Sequence, residues 1–513
     1  MFKSFLEKIR ALGGFCRVVF FLVLFSMAVS LSFAQILQVP RDGTGVDYLL
    51  SLEEATKAAL NNNFDVQIIQ YDTLISRTQE TAAESIYDTV LEASTKYRRD
   101  ESAGVSTLAP TESRTNDHNI GLSKKLPSGT TLETDWTNNR GSSNSSSNIT
   151  SPYYDSTAEI ALTQELGKNF FGLQDRGKIK ITRLEIENAE FTSMDKIEGL
   201  ITDVQKVYWD LVLQHERVSI EEDMFQQAKR LYDLNSEKFR DGLIEKPELL
   251  DSEANYHLRA NAVMQAGNIL ATKESTLELL LNLEQVSVRV IPSEGFNVDQ
   301  QPVEEETPSL EKAFSNRYDY QQAKKMIEAR KIELSLNTNN LWPQIDLEAS
   351  YARNGIDGGS FKDGTQDISD EDNPDYWIGV SLKMPLENTK ERAQRRSAEL
   401  KKRQAILAMK SLERRVMVDV IDRVRNCNVL RDVAMNQVKV ADLQSQKLEA
   451  EMKRFNAGRS DTNTVIRFQE DAIQARWLAA QAKFAYYSAR IDLRRSEGVL
   501  LSSYWDGKIE QRQ

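Results

Sequence analysis

Cysteine is almost absent: Cys16 and Cys427 are the only two in 513 residues. Cys16 lies in a leader, so the mature chain keeps one thiol and forms no internal disulfide. The three histidines, His118, His215 and His257, lie too far apart for zinc-ligand spacing. Proline is missing from Arg176 to Asp241, and again from Leu386 to the C-terminus. No proline breaks a helix over those reaches. Long apolar runs are scarce too. Val18–Val29 is the marked one, about a dozen residues and too short for a typical membrane span. Lys3, Lys8, Arg10 and Arg17 precede it, and "SFA" at Ser32–Ala34 follows with small residues. Residues 1–34 therefore read as a secretory signal cut after Ala34, the alternative being an uncleaved anchor. Cys16 precedes the apolar core, so it is no lipidation site at the cleavage point. Removing the leader takes the formal charge from −12 to −15 (−12 − 3) at pH 7. So acidic an exported chain is a poor nucleic-acid binder.

Motifs of catalysis are missing as well. "GLQDRGKI" at Gly172–Ile179 imitates a phosphate loop, but Ile179 stands where a magnesium-binding hydroxyl is required. It reads as a strand-to-helix corner. The acidic run Asp367–Asp372 lacks regular calcium-ligand spacing and reads as a solvated loop. No nucleophile, base and orienting group form a set. The reading is therefore of a non-enzyme without cofactor or metal, with an exported hydrolase as a rival class.

What is present is repetition. "KFRDG" at Lys238–Gly242 is answered by "RFNAG" at Arg454–Gly458. Stepping back in sevens from Phe239 meets Tyr232, Phe225, Val218, Leu211 and Val204. From Phe455 the same step meets Leu448, Ala441, Ala434, Cys427 and Val420. Seven-residue recurrence marks helices that wrap one another. Cys427 takes the place of Leu211 and reads as a buried filler rather than a reactive thiol. "SLEEA" at Ser51–Ala55 pairs with "SLEKA" at Ser309–Ala313, and "LEAS" occurs at Leu91–Ser94 and Leu347–Ser350. Ser51 with Glu54 forms a capping box.

The sequence thus divides into a signal (1–34), a lead (35–50), a first repeat (51–284), a connector (285–308), a second repeat (309–498) and a tail (499–513). The first repeat runs helix Ser51–Tyr87, strands within 90–166, a long helix 172–241 and a returning helix 247–284. The second runs helix Ser309–Asn340, strands within 344–386, a long helix 388–457 and a returning helix 461–498. Gly242 and Gly458 suit the left-handed position that ends a helix, and Pro247 suits a first helical turn. Each phrase is then the tip of an antiparallel hairpin. The early helix of each repeat covers the half of its long helix that the returning helix leaves bare.

The strands alternate. Tyr376, Ile378, Val380, Leu382, Met384 and Leu386 share one side, with Trp377, Gly379, Ser381 and Lys383 on the other. Similar patterns run through Val90–Arg98, Asn119–Leu126, Thr131–Asn138, Ala158–Leu166 and Ile345–Tyr351. Such strands fit an outer-membrane barrel, although a soluble sandwich gives the same pattern. Two to six strands cannot close a spanning barrel alone, so the chain borrows from copies of itself in a cyclic ring.

These features resemble the TolC-like outer-membrane efflux protein family over about Ser51–Leu500. The resemblance rests on the repeat, "VYWDL" at Val207–Leu211, "LTQEL" at Leu162–Leu166, "SLKMPL" at Ser381–Leu386 and the paired "FxxG" tips. It implies an α+β membrane protein. Long antiparallel α-helical hairpins would build an α-barrel, and amphipathic strands would enter a shared transmembrane β-barrel, with an internal twofold repeat. It also implies a homotrimer in the outer membrane, touching outer-membrane lipid, with a periplasmic helical extension. The tips, at Phe239, Gly242, Pro247, Phe455 and Gly458, would meet a periplasmic adaptor protein bound to an inner-membrane transporter, in efflux or type I secretion. The alternative is a soluble periplasmic coiled-coil scaffold.

In the family's best-known type a tyrosine, an arginine and aspartates close the entrance. Here Glu248 matches the first-tip acid. Phe455 replaces the tyrosine, Ser460 the arginine, and Thr464 and Arg467 the two aspartates. The candidate gate is instead Arg459, Asp461 and Arg467 facing Glu248 and Asp251, with Ser460 and Thr464 beside them. Solvated pairs of this kind contribute under about 1 kcal/mol each. The first half carries an extra strand pair, about Asn119–Asn138, which either widens the barrel or lies beside it.

Overall fold

The computed structural model describes residues 47–101, 112–144, 150–282, 289–298, 305–360, 364–365, 368 and 374–505. The signal at 1–34, the tail beyond 505 and all of the acidic run except Ile368 lie outside the described residues. The chain divides into two compact units. One comprises residues 1–48 and 287–289, of which only 47, 48 and 289 are described. The other is Leu49–Val286 with Val290–Gln513. Two short strands, β1 (Asp47–Leu50) and β6 (Arg289–Pro292), pair in a small sheet. All other described elements belong to the larger unit.

Its helices are long because nothing stops them. α3 (Leu173–Arg240) and α7 (Thr389–Asn456) each have 68 residues, about 100 Å at 1.5 Å per residue. α3 turns back into α4 (Lys246–Leu281), and α7 into α8 (Thr462–Ser496). α8 also packs on α3, which joins the two hairpins. The expected single helix Ser51–Tyr87 is two, α1 (Leu52–Asn62) and α2 (Phe64–Glu84). Asn63 breaks it by taking extended backbone. Its side chain accepts from the Asp65 and Val66 N–H groups, and its Nδ2 donates to the Leu280 carbonyl at 2.8 Å. Ser309–Asn340 likewise splits into α5 (Glu306–Asn316) and α6 (Tyr318–Asn339). At that break the Arg317 guanidinium binds Asp319, Asp419 and the Ser496 carbonyl. Each break thus lies against the last turn of a returning helix. α2 lies on α3, and α6 on both α3 and α7.

The seven-residue seam behaves differently in the two long helices. On α7 it is kept: Val420, Cys427, Ala434, Ala441, Leu448 and Phe455 are all buried. Burial pushes the Cys427 thiol up to about 11, which leaves it inert. On α3, Val204 and Leu211 are buried, but Phe225 and Tyr232 are half-exposed and Phe239 is 39 % exposed. Buried Met224 and Leu231, one residue earlier, take over the seam. A straight helix lags a strict heptad and would move its buried line to later residues, so this shift to earlier ones is a change of packed face and not drift. Phe225 and Tyr232 stack on Tyr256 of α4 instead, with centroids 5.3 and 5.7 Å apart.

The strands form one antiparallel six-stranded sheet: β2 (Thr89–Asp100), β3 (Ser113–Lys125), β4 (Thr130–Ser143), β5 (Tyr153–Glu165), β7 (Gln344–Asp357) and β8 (Pro374–Lys383), in that order. The core joins its helices at mid-length. Leu50, Trp209, Leu211, Leu277, Leu281, Val290 and Leu500 are buried together. The Tyr208 hydroxyl donates to the Leu50 carbonyl at 3.0 Å.

One carboxylate lies inside this core. Glu198 of α3, 2 % exposed, accepts from the Leu500 and Leu501 N–H groups at 3.1 and 3.4 Å. Burial pushes its pKa up to about 7, the two N–H donors oppose the rise, Asp195 adds to it and Arg495 opposes it. The raised value favours the neutral acid in the folded state. Its contribution to stability is present below the ordinary value of 4.5 and is lost as pH rises through about 7. Glu198→Gln should therefore lose less stability than the parent between about pH 5 and about pH 8, by at most about 3 kcal/mol. Denaturation midpoints across that range check this, and parallel pH profiles for the two proteins would refute it.

Candidate functional site

Both helical tips close by one device. After α3 the Gly242 N–H donates to the Phe239 carbonyl at 3.0 Å and the Leu243 N–H to Lys238 at 2.8 Å. After α7, Gly458 donates to Phe455 at 3.1 Å and Arg459 to Arg454 at 2.9 Å. This pair of bonds requires left-handed backbone at the glycine, and φ is +75° at Gly242 and +70° at Gly458. Pro247 lies in the first turn of α4. Asp461 caps α8, accepting from the Thr464 N–H at 2.9 Å and its hydroxyl at 2.8 Å. Those bonds hold the Asp461 carboxyl below the usual range.

The two tips are joined by polar groups. Buried Asn235 of α3 donates to Thr462 Oγ1 of α8 at 3.0 Å. Further along, buried Asn255 of α4 donates to Gln469 Oε1 of α8 at 3.0 Å. Glu451, four residues before Phe455 as Asn235 is before Phe239, is buried and holds Ser460 and Arg454. Around them Leu231, Phe455 and Val465 form a small apolar cluster, and Lys238 Nζ lies 4.0 Å from the centre of the Phe455 ring.

Among the tip residues named from the sequence, Phe455 is buried between the hairpins and Phe239 faces outward. Glu248 is half-buried, and Asp251, Arg459 and Arg467 are exposed. Arg467 lies over the Phe468 ring at 5.4 Å. Among the described residues of one chain, no ion pair joins Arg459 or Arg467 to Glu248 or Asp251. Sequence reading missed Asn235, Asn255, Glu451, Thr462 and Gln469. Their signal was available: Thr462 and Gln469 stand seven apart, and Asn235 follows Leu231 on the same helix face.

At the other end the sheet has two chemically distinct faces. Leu91, Leu122, Thr134, Ile160, Tyr351 and Tyr376 share one rung, and Leu132, Leu162, Ala349 and Ile378 the next on the same face. Ile378 is 76 % exposed although apolar. The opposite face carries Glu92, Gly121, Asp135, Glu159, Ala352 and Asp375 on one rung. Exposed Phe170, Phe171 and Trp342 stand at the junction with the helices. At the corner, Gly172 backs onto the Pro127 carbonyl oxygen, which leaves no room for a Cβ. Among the described residues no helix is long and apolar enough to cross a membrane.

Residues 309–499 match the family described as outer membrane efflux protein. The fold is similar to the Campylobacter jejuni CmeC outer membrane channel, at TM-score 0.64 and 15 % identity over 90 % of this chain and 87 % of that one. The open state of the Neisseria gonorrhoeae MtrE outer membrane channel aligns at TM-score 0.62 and 16 % identity, over 90 % and 95 %. CusC, described with conformational changes accompanying transmembrane channel formation, aligns at TM-score 0.66 and 13 % identity, over 90 % and 98 %. No curated protein matches the sequence as a relative. Residues 309–499 thus match the outer membrane efflux protein family, and the described chain has the fold seen in the CmeC and MtrE outer membrane channels.

Proposed function

We propose that the protein is the outer-membrane channel of an efflux or type I secretion assembly, a passive duct that crosses the outer membrane and extends into the periplasm. The observation that carries this reading is the sheet. It has one apolar, exposed face, and its edge strands β2 and β8 each have one side unpaired among the described residues. A bilayer tolerates strands only when every edge is paired. Six strands alternate in direction, so β8 of one copy runs antiparallel to β2 of the next. Copies can therefore close a ring, with the apolar face toward lipid and the carboxylate face lining the lumen. A trimer is the ring that the family implies. The two halves of the chain, each with a long helix of equal length, then act as a twofold repeat in a shared α-barrel.

The tips are the inner end of this duct. Symmetry brings outward-facing Phe239 against the second hairpin of the neighbouring copy, and Glu248, Asp251, Arg459 and Arg467 toward the same seam. The exposed glycine turns are the surfaces offered to a periplasmic adaptor and its inner-membrane transporter.

A detergent-requiring outer-membrane trimer is the expected product of fractionation, whereas a soluble monomer or dimer would favour a periplasmic scaffold. In intact cells, cysteines placed by Asn456→Cys and Ser460→Cys should crosslink to a periplasmic partner. Trimers that stay uncrosslinked at both sites would remove the docking role of the tips. Truncating the apolar cluster between the tips (Leu231→Ala with Val465→Ala) should loosen this end. The measure is uptake of a large hydrophilic solute that intact cells exclude, expected to rise several-fold with trimers intact, and unchanged uptake would refute a closing role for the cluster.

A further inference from the structure

We infer that β3 and β4 are wall, not ornament, and that three copies close an eighteen-stranded barrel about half as wide again as one built from four strands per copy. The inference rests on the trimeric-channel reading above. Chain direction alone does not demand it. β2 and β5 run oppositely, so they could pair directly and leave the β3–β4 hairpin aside, giving twelve strands.

Three observations favour the wider wall. First, pairing is unbroken: β2 with β3, β3 with β4 and β4 with β5 are matched residue for residue over almost their whole lengths. A hairpin set aside would leave β2 and β5 in contact, and instead β3 and β4 separate them. Second, the hairpin keeps the phase of its neighbours. Ile120, Leu122, Leu132 and Trp136 fall on the face of Leu91, Ile160, Tyr351 and Tyr376, at the same height. Asp135 and Glu133 fall on the face of Glu92, Glu159 and Glu348. A hairpin lying in the lumen would have no use for the apolar set, and one lying outside would bury carboxylates in lipid.

Third, its turn is built into the junction with the helices. Gly129, at φ +74°, lies so close to Gly172 that a Cβ would meet the Gly172 nitrogen at 2.7 Å. The Glu165 N–H donates to the Gly129 carbonyl, and Gln164 Nε2 to that of Ser128. Lys125 bridges to Asp175 in the first turn of α3 at 2.8 Å.

The width follows from geometry. With strands about 4.8 Å apart and tilted about 40°, eighteen strands enclose a backbone diameter of about 36 Å, against about 24 Å for twelve. At most four helices per copy lie side by side, so the helical duct gains no such width. The outer-membrane exit then ceases to be the part that limits cargo size, and the helical end does so alone.

The test uses full-length protein, with Cys427→Ala, purified and reconstituted in liposomes. Single cysteines along β3 (His118→Cys, Asn119→Cys, Ile120→Cys, Leu122→Cys, Ser123→Cys) are spin-labelled. Their contact with oxygen, which dissolves in lipid, is compared with contact with a nickel chelate, which stays in water. Wall strands give an oxygen preference at 120 and 122 and a nickel preference at 119 and 123. Uniform exposure to nickel along β3 would overturn the inference. Labels on β8 (Trp377→Cys, Ile378→Cys, Gly379→Cys) separate the two claims. If β8 alternates and β3 does not, only the eighteen-stranded wall fails. If neither alternates, the channel reading fails first. End-on electron-microscopy projections of the trimer supply a second measure, and a barrel of about 24 Å rather than about 36 Å would also overturn it.

Discussion

A bilayer core offers no water to a peptide group, and each backbone donor or acceptor left unpaired there costs several kcal/mol. This constraint governs the chain more than any single contact. Its sheet ends at β2 and β8, each presenting a row of outward N–H and C=O groups with no partner among the described residues. Left open in lipid, the two edges would cost on the order of tens of kcal/mol. No gain within one chain offsets that, because the apolar face also needs lipid. On the proposed channel reading, membrane insertion and ring closure would be a single event, and a lone inserted copy would not be a stable species. The helices inherit their arrangement from it, since α3 and α7 begin where β5 and β8 leave the sheet.

Below the sheet the two hairpins solve the same packing problem differently. α7 and α8 meet in part through small residues: Ala441 on one side, Ala475 and Ala479 on the other, buried together. Small side chains permit close approach of helix axes. α3 and α4 meet near their tip through the stacked rings of Phe225, Tyr232 and Tyr256. The kept seven-residue line of α7 and the shifted line of α3 are the sequence counterparts of these two kinds of contact.

Much of this was legible in the sequence because period is physical. Alternation in Tyr376–Leu386 fixes a two-faced strand, and heptads without proline fix a long packed helix. Glycine after "KFRD" and "RFNA" fixes a left-handed turn. The breaks at Asn63 and Arg317 were not legible, because neither residue forbids helix. Each breaks one by bonding to a chain segment more than a hundred residues away, at Leu280 and Ser496. Burial of Glu198 was equally hidden, since a glutamate on a long helix is ordinarily solvated and its partners are the distant Leu500 and Leu501 N–H groups. The repeat misled at one point. Phe239 and Phe455 are equivalent in sequence but not in surroundings: Phe455 is buried with Leu231 and Val465, and Phe239 is exposed.

The closed tip combines these strands of reasoning. An apolar seam there would be stronger, since each fully buried aliphatic side chain contributes about 1.5–3 kcal/mol. The chain places buried amides instead, and they are incompletely satisfied: Asn235 Oδ1 and Gln469 Nε2 have no partner among the described residues. A net hydrogen bond contributes about 1 kcal/mol, while an unsatisfied buried polar atom costs about 1–3 kcal/mol. Parting the hairpins breaks the bonds Asn235–Thr462 and Asn255–Gln469 but lets water reach the two orphaned atoms. The gain and the loss nearly cancel, so the two tips are held together by geometry and by the small Leu231–Phe455–Val465 cluster. On the proposed reading, a partner docking at the glycine turns would then have little energy to supply to part the hairpins.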